Sequence, residues 1–115
     1  MANGYNNINI FNLSINASGY STQNQYAIAI GLQSGQTAQG QYTVAMGYQA
    51  GHTNTTGNQN TYFGSGADAT TAGLSDVTVV GFNAKTGDNA TVVLGDGASA
   101  VSPANNSTAM GYHAS

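Results

Sequence analysis

Between residues 25 and 51 the chain repeats one pattern of apolar and polar positions, QYAIAIGLQSG at 25–35 and QYTVAMGYQAG at 41–51. With Gly31 and Gly47 as anchors, the same position recurs at Gly64, Gly81, Gly95 and Gly111, at intervals of 14 to 17 residues. A large apolar residue precedes each anchor (Ile30, Met46, Phe63, Val80, Leu94, Met110), and two positions earlier stands a β-branched one (Ile28, Val44, Thr61, Thr78, Val92, Thr108). Residues two apart share one face of a strand, so the period is that of β structure. The opposite face carries Ala29, Ala45, Tyr62, Val79, Val93 and Ala109 and is also largely apolar. Burial on both faces is typical of parallel strands.

Self-similarity at a fixed short period is the signature of a stacked repeat. A coil of 14–17 residues has room for two short strands and two turns, and none for a helical crossover. The expected fold is therefore all-β, a parallel β-solenoid. Each anchor glycine permits the positive φ that a tight corner needs. Three residues beyond it stand Ser34, Ala50, Ala67, Ala84, Ala98 and Ala114, small enough for stacked backbones to approach closely. The predicted core columns are Ile28, Ile30, Val44, Met46, Phe63, Val80, Val92, Leu94 and Met110. On that register an aspartate at Leu94 is expected to abolish folding. The Ala29–Ala109 face then awaits cover by copies of the same chain, since each coil is too thin to enclose it.

Six repeats occupy 25–115. Residues 1–24 fit the columns poorly and are expected to form a capping or neck segment holding a degenerate coil at Leu13–Gly19. Pro103 is expected in a turn between the last two rungs, where it interrupts no ladder. The polar runs HTNTTGNQN (52–60) and TTAGLSD (70–76) are expected to project as loops, where binding residues concentrate. The candidate receptor-facing residues are Tyr48, His52, Asn54, Thr55 and Tyr112. Tyr26, Tyr42, Tyr48, Phe82 and Tyr112 suggest an aromatic stripe for sugar stacking, with ring packing between adjacent coils as the favoured alternative.

The motifs Ala-Ile-Ala-Ile-Gly (27–31), Thr-Val-Ala-Met-Gly (43–47), Thr-Val-Val-Leu-Gly (91–95) and Ser-Thr-Ala-Met-Gly (107–111) resemble the head repeats of trimeric autotransporter adhesins, the YadA-like left-handed β-roll, and similar repeats of phage and viral tail fibres. The resemblance implies a homotrimer on a virion or cell surface, outside the cell, that binds a host-cell receptor or glycan. Two features of that family, a coiled-coil stalk with its membrane-anchor barrel and a C-terminal folding chaperone, are not expected within this stretch.

Composition narrows the function further. Lys85 is the sole Lys or Arg among 115 residues, against four Asp and no Glu, for a net charge of −3. Phosphate neutralisation needs clustered cations, so nucleic acid is not an expected partner, and neither is insertion into or polybasic attachment to a membrane. Without cysteine there is no disulfide or thiolate metal site. His52 and His113 have no carboxylate at ligand or catalytic spacing, so no cofactor and no enzymatic activity are expected. Abundant Asn, Gln, Ser, Thr and Gly also suits a disordered tract, but the ordered columns argue against that. The function expected is a non-enzymatic attachment module of a surface fibre. The alternative is a self-assembling subunit of an extracellular β-solenoid filament.

Overall fold

The computed structural model describes residue 24 and residues 26–36, 38–101 and 105–115. Apart from Asn24, the expected capping segment at 1–24 with its degenerate coil lies outside the described residues, as does Pro103. Among the described residues there is no helix. Six three-residue strands form one parallel sheet: β1 (Ile28–Ile30), β2 (Val44–Met46), β3 (Thr61–Phe63), β5 (Thr78–Val80), β7 (Val92–Leu94) and β9 (Thr108–Met110), in that order. Three two-residue strands form a second parallel sheet, β4 (Asp68–Ala69), β6 (Lys85–Thr86) and β8 (Ser99–Ala100). The molecule is a β-solenoid whose coils pair in the register of the sequence repeat, Ile30 beside Met46, Met46 beside Phe63, and so to Met110.

Backbone hydrogen bonds run from coil to coil well beyond the strands. Gly47 N donates to Ile30 O at 2.8 Å, and Gly66 N donates to Tyr48 O at 2.8 Å. Val44 N donates to Asn60 O in the following coil at 2.8 Å. The polar backbone of one coil is thus paired with its neighbours on both sides, the accounting that buried amides and carbonyls demand.

Three columns hold the chain in left-handed backbone. The corner glycines have φ of 120–137°. Two residues later come Gln33, Gln49, Gly66, Asn83, Gly97 and His113, with φ of 51–73°. Two residues before each three-residue strand come Tyr26, Tyr42, Gln59, Asp76, Ala90 and Asn106, with φ of 53–66°. The corner glycines are required twice over: a Cβ on Gly31 would lie 2.7 Å from Gly47 O, and one on Gly64 would lie 2.6 Å from Gly81 O.

The interior is made of small side chains, and this reverses the sequence expectation. Ala29, Ala45, Tyr62, Val79, Val93 and Ala109 point inward and are buried, opposite the buried Ser34, Ala50, Ala67, Ala84 and Ala98. The columns predicted as core lie on the outer face of the six-stranded sheet. Ile28, Phe63, Val92 and Met110 are exposed there, Met110 at 66 %, while Ile30, Val44, Met46, Val80 and Leu94 are half-buried. The reason is volume. Between the two sheets each coil admits little more than Ala or Val, and bulky side chains have room only outside.

Tyr62, the largest of the fully buried side chains among the described residues, fits because Gly51 above it has none; a Cβ there would fall 2.8 Å from the ring. Val93→Asp, which buries a charge with no partner, is therefore expected to prevent folding, whereas Leu94→Asp is expected to leave a folded coil. Gly64→Ala should cost about 1–3 kcal/mol from backbone strain alone. Thermal melts of the three variants followed by circular dichroism check this ordering.

Candidate functional site

The five residues expected to face a receptor fall into two groups. Tyr48, 49 % exposed, and Tyr112, 75 % exposed, occupy one column, the position after the corner glycine, which also holds Leu32 and Phe82. Tyr112 stacks on His113 with ring centroids 4.0 Å apart. His52, Asn54 and Thr55 belong instead to the 51–60 segment at the other edge of the coil, where the coil turns away from the second sheet. His52 is half-buried, with a ring nitrogen 3.1 Å from Gln36 Oε1, and Thr55 is half-buried.

Asn54 corrects the expectation outright, since it is 2 % exposed. Its Nδ2 donates to Tyr62 Oη at 2.6 Å and to Leu74 O, while its Oδ1 accepts from Gly57 N at 3.2 Å and from Gly73 N at 2.9 Å. Asn60 extends the same network, with Nδ2 donating to Leu74 O at 2.8 Å and Oδ1 accepting from Val77 N at 3.1 Å. The two runs expected to project as loops are tied together and to the interior by these two asparagines. A Tyr in a column otherwise made of Ala and Val was the available signal, because a buried phenol requires a polar partner.

Asp68, itself buried, fastens the same segment. Both its carboxylate oxygens accept from Thr53 N at 3.0 Å, and Oδ1 also accepts from Ala69 N at 2.8 Å. Lys85 Nζ stands 3.9 Å from Oδ2. Charge-assisted bonds of this kind are stronger than neutral ones, so the carboxylate holds the 51–54 turn down against β4.

Two side-chain ladders run up the outside. In the first, Gln49 Nε2 donates to Gln33 Oε1 at 2.9 Å. Higher up, the Asn83 amide lies over Gly66 and the His113 ring over Gly97, each in space that a Cβ would fill. In the second, a side chain of each coil accepts from the backbone of the coil before it. Gln41 N donates to Asn58 Oδ1 at 2.8 Å, Asn58 N to Ser75 Oγ at 3.0 Å, and Ser75 N to Asn89 Oδ1 at 2.7 Å. Sequence reading missed this second ladder, whose signal is a short hydrogen-bonding side chain six residues before each of the last four anchors, Asn58, Ser75, Asn89 and Asn105.

At the final rung a hollow of about 480 Å³ is lined by Ser99, Ala100, Val101, Ser107, Thr108, Ala109 and Ser115, none of them titratable. Ser107 Oγ, buried there, has no partner. In the preceding coil the equivalent Thr91 pairs with Thr86 at 2.6 Å, but Ala100 now stands at the position of Thr86. Among the described residues no three His, Asp or Glu side chains cluster as metal ligands would. No family model, curated protein or solved structure matches this chain.

Burial pushes the Tyr62 phenol well above its ordinary value near 10; the Asn54 hydrogen bond opposes this and the Asp68 charge adds to it. The folded chain therefore keeps a proton that the unfolded chain loses as pH rises past 10, so stability from this residue is complete below pH 10 and declines above it. Melting temperature measured from pH 8 to 11 should fall above pH 10 in the native protein. The slope should be shallower in Tyr62→Phe, which should lose about 1 kcal/mol at neutral pH.

Proposed function

We propose that this chain is a non-enzymatic structural and attachment module of a surface fibre, a left-handed β-roll that assembles as a homotrimer on a virion or cell surface. The observation that carries the reading is the uncovered outer face of the six-stranded sheet. Its two columns run through all six rungs from Ile28 and Ile30 to Thr108 and Met110, and neither contains a charged residue. Soluble monomers rarely leave a contiguous apolar face of this kind in water. A large side chain taken from exposure to full burial contributes roughly 1.5–3 kcal/mol; Phe63 and Met110 stand to gain most, and the half-buried Ile30, Met46, Val80 and Leu94 a part of it.

Copies of the same chain are the occupants proposed for that face, because closed cyclic symmetry lets one patch bury itself without leaving an open surface. The number three and the left hand come from the resemblance to adhesin and tail-fibre repeats. The sequence expected copies to pack against the Ala29–Ala109 face, which the fold places inside the coil; the association surface is now the opposite one. In this assembly the stiff stack holds its outer columns away from the surface that bears it, and three copies bind a receptor by avidity.

Light scattering coupled to size exclusion tests the reading. The native chain should run at three times its 11.6 kDa mass. Leu94→Asp should lower the mass while retaining β-structure by circular dichroism. A native monomer, or filaments that grow with concentration, would overturn the trimer.

A further inference from the structure

We infer that the column following the corner glycines is a binding ridge for a neutral, extended β-linked polysaccharide, an inference that rests on the attachment reading and names its ligand class. From the first rung the column reads Leu32, Tyr48, Ser65, Phe82, Asp96 and Tyr112. Its backbone is held in register by the coil-to-coil ladder: Gln49 N donates to Leu32 O, Gly66 N to Tyr48 O, Asn83 N to Ser65 O, Gly97 N to Phe82 O and His113 N to Asp96 O. The three rings therefore stand on alternate rungs, two strand spacings or about 9.4–9.8 Å apart.

That distance excludes packing of the three rings on one another, although Tyr112 also stacks on His113. Aromatic rings stabilise one another at centroid separations of about 4.5–7 Å, and two rungs exceed this. Tyr26 and Tyr42 show the contrast: they occupy adjacent rungs and stack at 5.1 Å with an interplanar angle of 11°. Tyr48, Phe82 and Tyr112 are instead separated by the short side chains of Ser65 and Asp96, and all three are about half exposed or more.

A row of separated rings with hydrogen-bonding groups between them matches a ligand that alternates in the same way. A β-1,4-linked glucan presents flat C–H faces, flipped at each successive sugar, so one face recurs with its disaccharide repeat, which is comparable to two rungs. Ser65 Oγ and the Asp96 carboxylate are placed to meet hydroxyls on the intervening sugars. Charge selects the neutral class. The chain carries −3 overall, its one cation is Lys85 beside Asp68, and Asp96 lies within the ridge, so sulfated or phosphorylated polymers are repelled. The ridge lies past the corner glycine from the sheet face assigned to association, so the two surfaces are compatible.

The probe is cellohexaose, titrated calorimetrically into the full chain, with α-linked maltohexaose as the control of wrong repeat. Cellohexaose should bind saturably and at least tenfold more tightly than maltohexaose. Tyr48→Ala, Phe82→Ala and Tyr112→Ala should each weaken binding about three- to tenfold, while Tyr26→Ala should leave it unchanged. Equal affinity for both oligosaccharides, no binding of cellohexaose, or alanine variants of unchanged affinity would overturn the proposal.

Light scattering on the same samples separates the two readings. A trimer that ignores cellohexaose sinks the ridge and leaves the fibre module standing. A monomer that binds it through these rings supports the ridge and sinks the trimer.

Discussion

Every other feature of this molecule depends on one column of glycines at the corner of the coil. There the backbone takes φ of 120–137°, and the next coil's carbonyl occupies the space of a side chain. This close approach brings successive coils to strand spacing along the whole turn and not only within the three-residue strands. Individually those strands are far too short to be stable. Paired in register on both sides, they become a continuous sheet whose length is set by the number of coils.

Narrowness follows from the same constraint. A coil that turns this tightly holds its two sheets close, so its interior is mostly Ala, Ser, Val and Thr, and it accommodates the Tyr62 ring beneath Gly51. Small interiors contribute little hydrophobic stabilisation per rung, and the deficit is offset from outside: by the in-register backbone ladder, by the Asn and Ser side chains that take up turn amides, and by whatever covers the bulky outer columns. Marginal interior burial and an uncovered apolar face are two aspects of one geometry.

The repeat, its elastic period, the parallel pairing, the corner glycines and the small column after them were all legible, because each depends on local backbone conformation that residue type records. Which face is inside was not. Ile30, Met46 and Leu94 look like a core by size, and size is a sound guide where the interior is roomy. In a thin coil the guide inverts, and the matching smallness of Ala45 and Ala50, or Ala109 and Ala114, marks the interior instead. Asn54 escapes sequence reading for a related reason: a polar run has the composition of a solvated loop, yet its Nδ2 is needed by a buried phenol at Tyr62. That partnership joins neighbouring coils, and only the fold brings them together. The ridge of Tyr48, Phe82 and Tyr112 was half legible, as aromatic residues at one position, while their alternation by rung became visible once the register was established.

Because the bonds between coils lie along the stack, mechanical load has a definite fate in this architecture. Drawn lengthwise, each interface between neighbouring coils bears the entire tension, but its bonds share that tension and must rupture together. A sideways tug on the outermost coil instead meets them singly and unzips the stack from its end. Resistance to lengthwise tension is thus a collective property of the middle, and the anchoring of the terminal coils sets the force at which such a rod gives way.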